Sequence, residues 1–148
     1  MKKIIFLSII ILSVLALFAK PRKKDTENLP LLNTIWILEE IHEMPVTQSV
    51  DTAFIIFTEN YRMSGNLGCN LFFGNFNFGK KRMKLDYVGS TKKLCMDMSL
   101  EDNFSRALRD DVTHYQIEKN KLFILNKDYV VFKFEGIILP TINNTIYE

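Results

Sequence analysis

The residues of this chain that could carry out chemistry are few: two cysteines, Cys69 and Cys95, and two histidines, His42 and His114. A zinc site needs three or four nitrogen, sulfur or oxygen ligands, and no C-x-x-C or H-x-x-x-H spacing groups these four residues. A Cys-His nucleophile pair is compositionally available, but an oxidised partner cysteine would consume its thiol. The composition therefore predicts no metal site and leaves a thiol-dependent enzyme as an alternative only.

Carboxylates and glycine-rich turns give no catalytic pattern either. Acidic residues are plentiful, and some are adjacent, as in Glu39-Glu40 and Asp110-Asp111; adjacent side chains should point apart on a strand and lie at a solvated edge. The stretch GNLGCN at 65–70 is not a phosphate loop, because no Gly-Lys-Ser/Thr follows it. We therefore predict no catalytic residues and no cofactor, and we expect a protein that is not an enzyme.

The N-terminal residues 1–19 resemble a secretory signal peptide. The apolar run from Ile4 to Phe18 would span roughly 22 Å as a helix, which is short of the ~30 Å hydrocarbon core of a bilayer. Cleavage is best placed after Ala19, giving an exported periplasmic or extracellular protein. An uncleaved membrane anchor is the alternative, because positive charge just past the run disfavours translocation. The charges concerned are Lys20, Arg22, Lys23 and Lys24.

The basic charge of the chain belongs to this leader and to the linker at 20–30 that follows it. Six of the 19 Lys and Arg residues lie in the first 24 positions, which leaves 13 against 17 acids and a net charge of −4 beyond them. A nucleic-acid partner is therefore not expected. The linker is interpreted as solvated, with contact to anionic lipid as the sharper alternative. A membrane becomes a partner only if the signal is uncleaved.

The two cysteines are 26 positions apart, and an exported chain meets an oxidising compartment. An even cysteine count there usually means a disulfide, and closing this loop would stabilise the fold by roughly 3.5 kcal/mol. The segment SGNLGCNLFFGNF at 64–76 surrounds the first cysteine with Gly and Asn, which tolerate the positive φ of sharp turns.

Short segments with a two-residue apolar period predict an antiparallel sheet of about seven to eight strands, strongly curved or barrel-like. The predicted strands are 34–41, 53–58, 71–78, 82–88, 115–118, 122–125 and 129–134, and a turn at 59–61 leads from the second of them into residues 62–64. One helix, at about 99–112, interrupts them. Ser99 is its predicted N-cap, with capping-box spacing to Asp102. Phe104, Leu108 and Val112 recur every four residues and form a stripe that should pack on the sheet, with a partner-binding face as the alternative.

Two blocks of sequence resemble the META/HslJ family. The run GNLGCN at 65–70, followed by FGNF at 73–76, looks like the family core G-N-x-G-C-N-x-[F/Y]-x-G-x-Y. The run STKKLC at 90–95 is similar to the second block, S-T-x-x-x-C, and is followed by Glu101, Phe104, Ala107 and Leu108. Trp36 with Leu38 and Ile41 matches the opening W-x-L-x-x-I. The resemblance covers about residues 31–135, leaving 136–148 as a C-terminal tail.

The resemblance implies an α+β domain outside the cytoplasm, with antiparallel strands around one helix and a disulfide between Cys69 and Cys95. It brings an association with envelope stress and secretion, and no accepted catalytic residues. The expected function is binding of a protein or an envelope component, with a purely structural module as an alternative. Asn66 and Asn70 are interpreted as bonding backbone groups beside the turn. A ligand or partner patch formed by Asn66, Asn70 and Thr91 is the alternative interpretation.

Overall fold

The computed structural model describes residues 27–47 and 51–138, and these form one antiparallel sheet with one helix. The predicted signal peptide, most of the linker and nearly all of the tail lie outside the described residues. The strands are β1 (Ile35–Ile41), β2 (Met44–Pro45), β3 (Phe54–Phe57), β4 (Arg62–Asn66), β5 (Leu71–Phe78), β6 (Met83–Ser90), β7 (His114–Glu118), β8 (Lys121–Asn126) and β9 (Tyr129–Ile137). The helix α1 (Ser99–Ala107) connects β6 to β7.

Eight of these strands follow one another in the order β6-β5-β4-β3-β1-β9-β8-β7, and β2 pairs with β1 beside this path. The sheet curls into a half-barrel, so that its two terminal strands approach each other at one end. An isolated bridge joins Arg82 to His114 there, and the Met83 amide donates to the Thr113 carbonyl at 3.1 Å. The predicted fold class, mostly antiparallel strands in a curved sheet with one helix, is confirmed.

The concave face of the sheet holds the core, because alternate residues of each strand point inward. In β5 the buried residues are Phe72, Gly74 and Phe76, while the residues between them face outward. Helix α1 lies against this face. The ring of Phe104 is 5.5 Å from that of Phe132 on β9 and 5.8 Å from that of Phe72, so the helix contacts both halves of the sheet.

The helix ends earlier than the sequence predicts, at Ala107 instead of residue 112. After it the chain tightens, with the Asp110 amide bonded to the Ala107 carbonyl and the Val112 amide to the Asp110 carbonyl. Acidic residues at 110 and 111 are unfavourable at the negative end of a helix dipole. Val112 is nevertheless buried, as are Phe104 and Leu108, so the predicted stripe belongs to the core.

The start of the helix is capped differently from the prediction. Ser99 is the first helical residue and not the N-cap, which is Met98 and makes no side-chain capping bond. The carboxylate of Asp97 instead accepts a hydrogen bond from the Ser99 amide at 2.9 Å. This bond, together with one from the Ser99 hydroxyl, holds the pKa of Asp97 below its ordinary value.

The short strand β2 was not predicted. It returns from β1 through a tight turn in which His42 and Glu43 both have positive φ, 51° and 62°. Such turns usually carry Asn or Gly at these positions, so the sequence gives no signal for this one.

Candidate functional site

The two cysteine blocks meet at one corner of the sheet, where β4 passes into β5. Gly68 has a φ of 107°, which a residue with a side chain rarely adopts, and its amide donates to Asn66 Oδ1 at 2.7 Å. The next residue, Cys69, is buried and is joined by a disulfide to Cys95, with the two Cα atoms 6.4 Å apart. Because Cys95 lies in the loop between β6 and α1, the bond ties this loop to the corner.

Asn70 is the centre of the corner's hydrogen bonds, and its exposed fraction is only 1%. Its Oδ1 accepts from the Thr91 hydroxyl and from the Lys93 amide, both at 2.7 Å. Its Nδ2 donates to the Lys93 carbonyl at 3.0 Å and to the Glu101 carboxylate at 3.0 Å. The whole amide group is therefore engaged inside the protein.

Glu101 is the residue of this corner that sequence reasoning missed. It lies in the first turn of α1 and is buried, and its Oε2 accepts the Asn70 backbone amide at 2.9 Å in addition to the side-chain bond. The one signal for a larger role was its fixed place after the second cysteine block of the family pattern.

The structure brings together all five residues singled out from the sequence at this corner: Asn66, Asn70, Thr91, Cys69 and Cys95. The polar atoms of Asn70 are used internally, and Asn66 Oδ1 is bonded to the Gly68 amide. Thr91 is exposed, and its hydroxyl oxygen also accepts from the Leu71 amide at 3.2 Å. Such an arrangement fixes backbone segments, and the patch of Asn66, Asn70 and Thr91 stays a prediction.

Exposed apolar side chains lie on the two chain segments that the disulfide joins at this corner. Leu94 is 95% exposed and Met96 is fully exposed, although both flank the disulfide-bonded Cys95. Leu71 and Phe73 point outward from β5 and are more than half exposed. The Thr91 amide donates to the Leu71 carbonyl, and the Leu71 amide donates to the Thr91 hydroxyl. These bonds join the start of β5 to the loop that carries Leu94 and Met96. We call Leu71, Phe73, Leu94 and Met96 the apolar rim.

The remaining residues of chemical interest do not converge on the disulfide. His42 Nε2 lies 3.1 Å from Asp110 Oδ2, and His114 Nδ1 is 2.8 Å from the Thr113 hydroxyl. Among residues 27–47 and 51–138, no group of three His, Cys, Asp or Glu side chains could hold a metal ion.

The prediction that Glu39 and Glu40 point apart is wrong. A bulge between Leu38 and Glu40 shifts the register of β1 against β9, so that both carboxylates face Lys133. Lys133 Nζ lies 2.6 Å from Glu40 Oε1 and 3.7 Å from Glu39 Oε2. The hydrogen bond to Glu40, reinforced by the charge of Glu39, raises the pKa of Lys133 above its ordinary value despite partial burial. Lys121 also pairs with Glu39. These charges form an ion-pair network on the outer face of the sheet.

A bilayer-spanning helix, which must be long and apolar, does not occur within the described parts of the chain. A comparison with curated proteins finds no match to this sequence.

Two solved structures, both determined by NMR, share the fold. One is 20% identical in sequence, covers 70% of this chain and 88% of its own, and has a TM-score of 0.53. The other, from Burkholderia xenovorans, is 16% identical, covers 80% of this chain and 99% of its own, and has a TM-score of 0.54. At these identities the likeness concerns the fold alone.

A comparison with protein families matches residues 29–136 to the model of the META domain. This range contains every strand of the half-barrel up to β9, helix α1, both cysteines and the Asn70 network. It confirms the resemblance given by the two cysteine blocks. The chain belongs to the META domain family.

Proposed function

We propose that this protein is an exported, non-enzymatic binding domain that recognises a protein or an envelope component through the apolar rim. The observation that carries the proposal is the exposure of Leu94 and Met96 on a loop that is fixed in place. Exposed apolar side chains that cluster on a surface are typical of interaction sites.

The fixed loop is what distinguishes these side chains from scattered surface residues. The loop is anchored by the disulfide at Cys95 and by two bonds between Lys93 and the buried Asn70. A surface that is already ordered loses less conformational entropy when it binds. Because the ordered loop keeps these apolar side chains exposed to water, they do not contribute to this domain's own core. Their exposure therefore favours a role in binding.

Export is supported by the disulfide, because such bonds persist in oxidising compartments. It is also supported by the predicted signal peptide at residues 1–19.

The envelope-stress role comes from the family resemblance. We expect the amount of this protein to rise after heat or envelope damage, and an unchanged amount on immunoblots would contradict that role.

Site-specific photo-cross-linking in intact cells tests the binding proposal. A photoreactive amino acid at Met96 should give a discrete adduct with a partner, whereas the same group at Asp128, in the exposed turn between β8 and β9, should not. Replacing Leu94 with Ser should abolish the adduct formed at position 96 while leaving thermal unfolding unchanged. Absence of an adduct at position 96, or equal adducts at positions 96 and 128, would contradict recognition through the rim and favour a purely structural module.

The thiol-dependent enzyme is tested by alkylation. The chain has only two cysteines, and the structure joins them, so thiol chemistry would require prior reduction. Alkylation of the native, unreduced protein should label neither residue. Labelling of Cys69 or Cys95 in most molecules would make the enzyme alternative the better explanation.

A further inference from the structure

A cavity of about 530 Å³ lies between the β1–β2 hairpin and helix α1. Its volume falls within the roughly 300–1,000 Å³ of typical small-molecule sites. None of the apolar rim residues lines it, so it is a separate feature of the surface.

The walls of the cavity are largely apolar. Ile41, Leu100 and Ala107 form buried parts of the lining and belong to the core, while Pro45 and Val46 line it from the hairpin. An alkyl chain in the cavity would therefore remove apolar surface from contact with water, which is favourable.

The charged groups at the cavity differ in whether they have partners. Asp97 accepts the Ser99 amide, and the carboxylate of Asp110 is paired with His42 at 3.1 Å. Arg106 projects from the last turn of α1 and forms no ion pair with any described residue. Asp97 forms no ion pair either, but its carboxylate is hydrogen-bonded to Ser99, whereas the guanidinium of Arg106 has neither a hydrogen-bond nor an ion-pair partner among the described residues.

We propose that this cavity binds an amphipathic anion, an alkyl chain that carries a carboxylate. The chain lies along Ile41, Leu100 and Ala107, and the carboxylate pairs with the guanidinium of Arg106. Arginine and a carboxylate form two parallel charge-assisted hydrogen bonds, which explains selectivity for this head group over a cation. The proposal stands apart from the proposed function, because it uses neither the rim nor a macromolecular partner.

Decanoate tests the proposal, with decyltrimethylammonium as a cationic probe that has the same ten-carbon chain. In two-dimensional NMR titrations of the full mature chain, decanoate should produce saturable shifts confined to residues 41–47 and 97–110. The cationic probe should bind at least tenfold more weakly. Equal affinities of the two probes, or decanoate shifts confined to the apolar rim, would overturn the proposal.

Variants of α1 provide matched controls. Arg106→Gln should weaken decanoate binding about tenfold, whereas Arg109→Gln should not, because the Arg109 guanidinium lies over the Tyr87 ring at 4.6 Å and does not line the cavity. Asn103→Trp adds an indole at an exposed lining position and should block binding without disturbing the core. Equal effects of the two arginine changes, or unchanged binding in folded Asn103→Trp, would overturn the proposal.

Discussion

Asn70 shows why a single residue type is required at the disulfide corner. Its amide accepts two hydrogen bonds and donates to two further groups, and it thereby joins segments at 69–71, 91–93 and 101. Aspartate would lose the donors and would place a second carboxylate against Glu101, while an apolar residue would lose all the hydrogen bonds of the Asn70 side chain. Asparagine alone offers both an acceptor and two donors in one planar group of this length.

Asn70→Ala should lower the free energy of unfolding by about 2 to 3 kcal/mol, since it leaves buried polar groups without partners. Glu101→Ala should have a similar effect, because it removes the acceptor for both amides of Asn70. The double variant should lose clearly less than the sum, as expected for residues that share bonds. Urea unfolding measures these values, with the exposed Asn75→Ala as a control that changes stability by less than about 0.5 kcal/mol. Additive losses in the double variant would contradict the prediction that Asn70 and Glu101 stabilise the fold through shared hydrogen bonds.

Asp97 provides a prediction about pH. Bonds from the Ser99 amide and hydroxyl lower its pKa in the folded protein below the ordinary value of 3.8. Because the folded-state pKa is depressed, this carboxylate stabilises the fold above pH 3.8, and the contribution is lost as the pH falls through the folded-state pKa. NMR titration of the side-chain carbonyl should show the lowered pKa, and Ser99→Ala should raise it. A midpoint at or above 3.8 would contradict the capping bond.

At the scale of elements, the sequence predicted strands better than it predicted the ends of the helix. The two-residue period of β5 survives in the structure, since each alternate side chain meets either the core or water. The period of four in α1 continued to Val112 although the helix ends at Ala107, because a buried residue in the following loop can keep the same spacing. β2 could not be predicted, because its turn uses His42 and Glu43.

The stripe on α1 is tested by Leu108→Ala. Leu108 is 1% exposed beside the core, so its truncation should lower the free energy of unfolding by about 2 to 5 kcal/mol. Leu94→Ala is a matched control, because the same atoms are removed from a side chain that is 95% exposed. It should change stability by less than about 0.5 kcal/mol. A comparably small effect at Leu108 would mean that the stripe is available to a partner.

At the scale of the whole molecule, the disulfide corner is linked through helix α1 to the other half of the sheet. The corner lies between β4 and β5, in one half of the sheet, and holds the start of α1 through Glu101. Further along α1, Phe104 packs on β9 in the other half. These contacts join residues that lie 28 positions apart for Phe104 and Phe132 and 31 positions apart for Asn70 and Glu101, so local sequence patterns do not reveal them. Only the spacing of the two cysteine blocks, through the family resemblance, pointed to this arrangement.

The last prediction concerns the compartment in which this corner forms. If residues 1–19 are a cleaved signal, the native protein should begin near Lys20 and should carry the Cys69–Cys95 bond, because an exported chain meets an oxidising environment. Intact mass measurement of protein from its native host, with and without reduction, gives both the start and the bond.

A variant that lacks residues 1–19 is the control, because it should stay in the reducing cytoplasm with both thiols free. Its lower stability should then match that of Cys69→Ser in the exported chain, a loss of roughly 2 to 5 kcal/mol, since both proteins lack the same bond. An intact Met1 in a membrane pellet that resists alkaline extraction would instead identify the apolar run from Ile4 to Phe18 as an anchor. In that case the apolar rim would meet only those partners that lie close to the membrane.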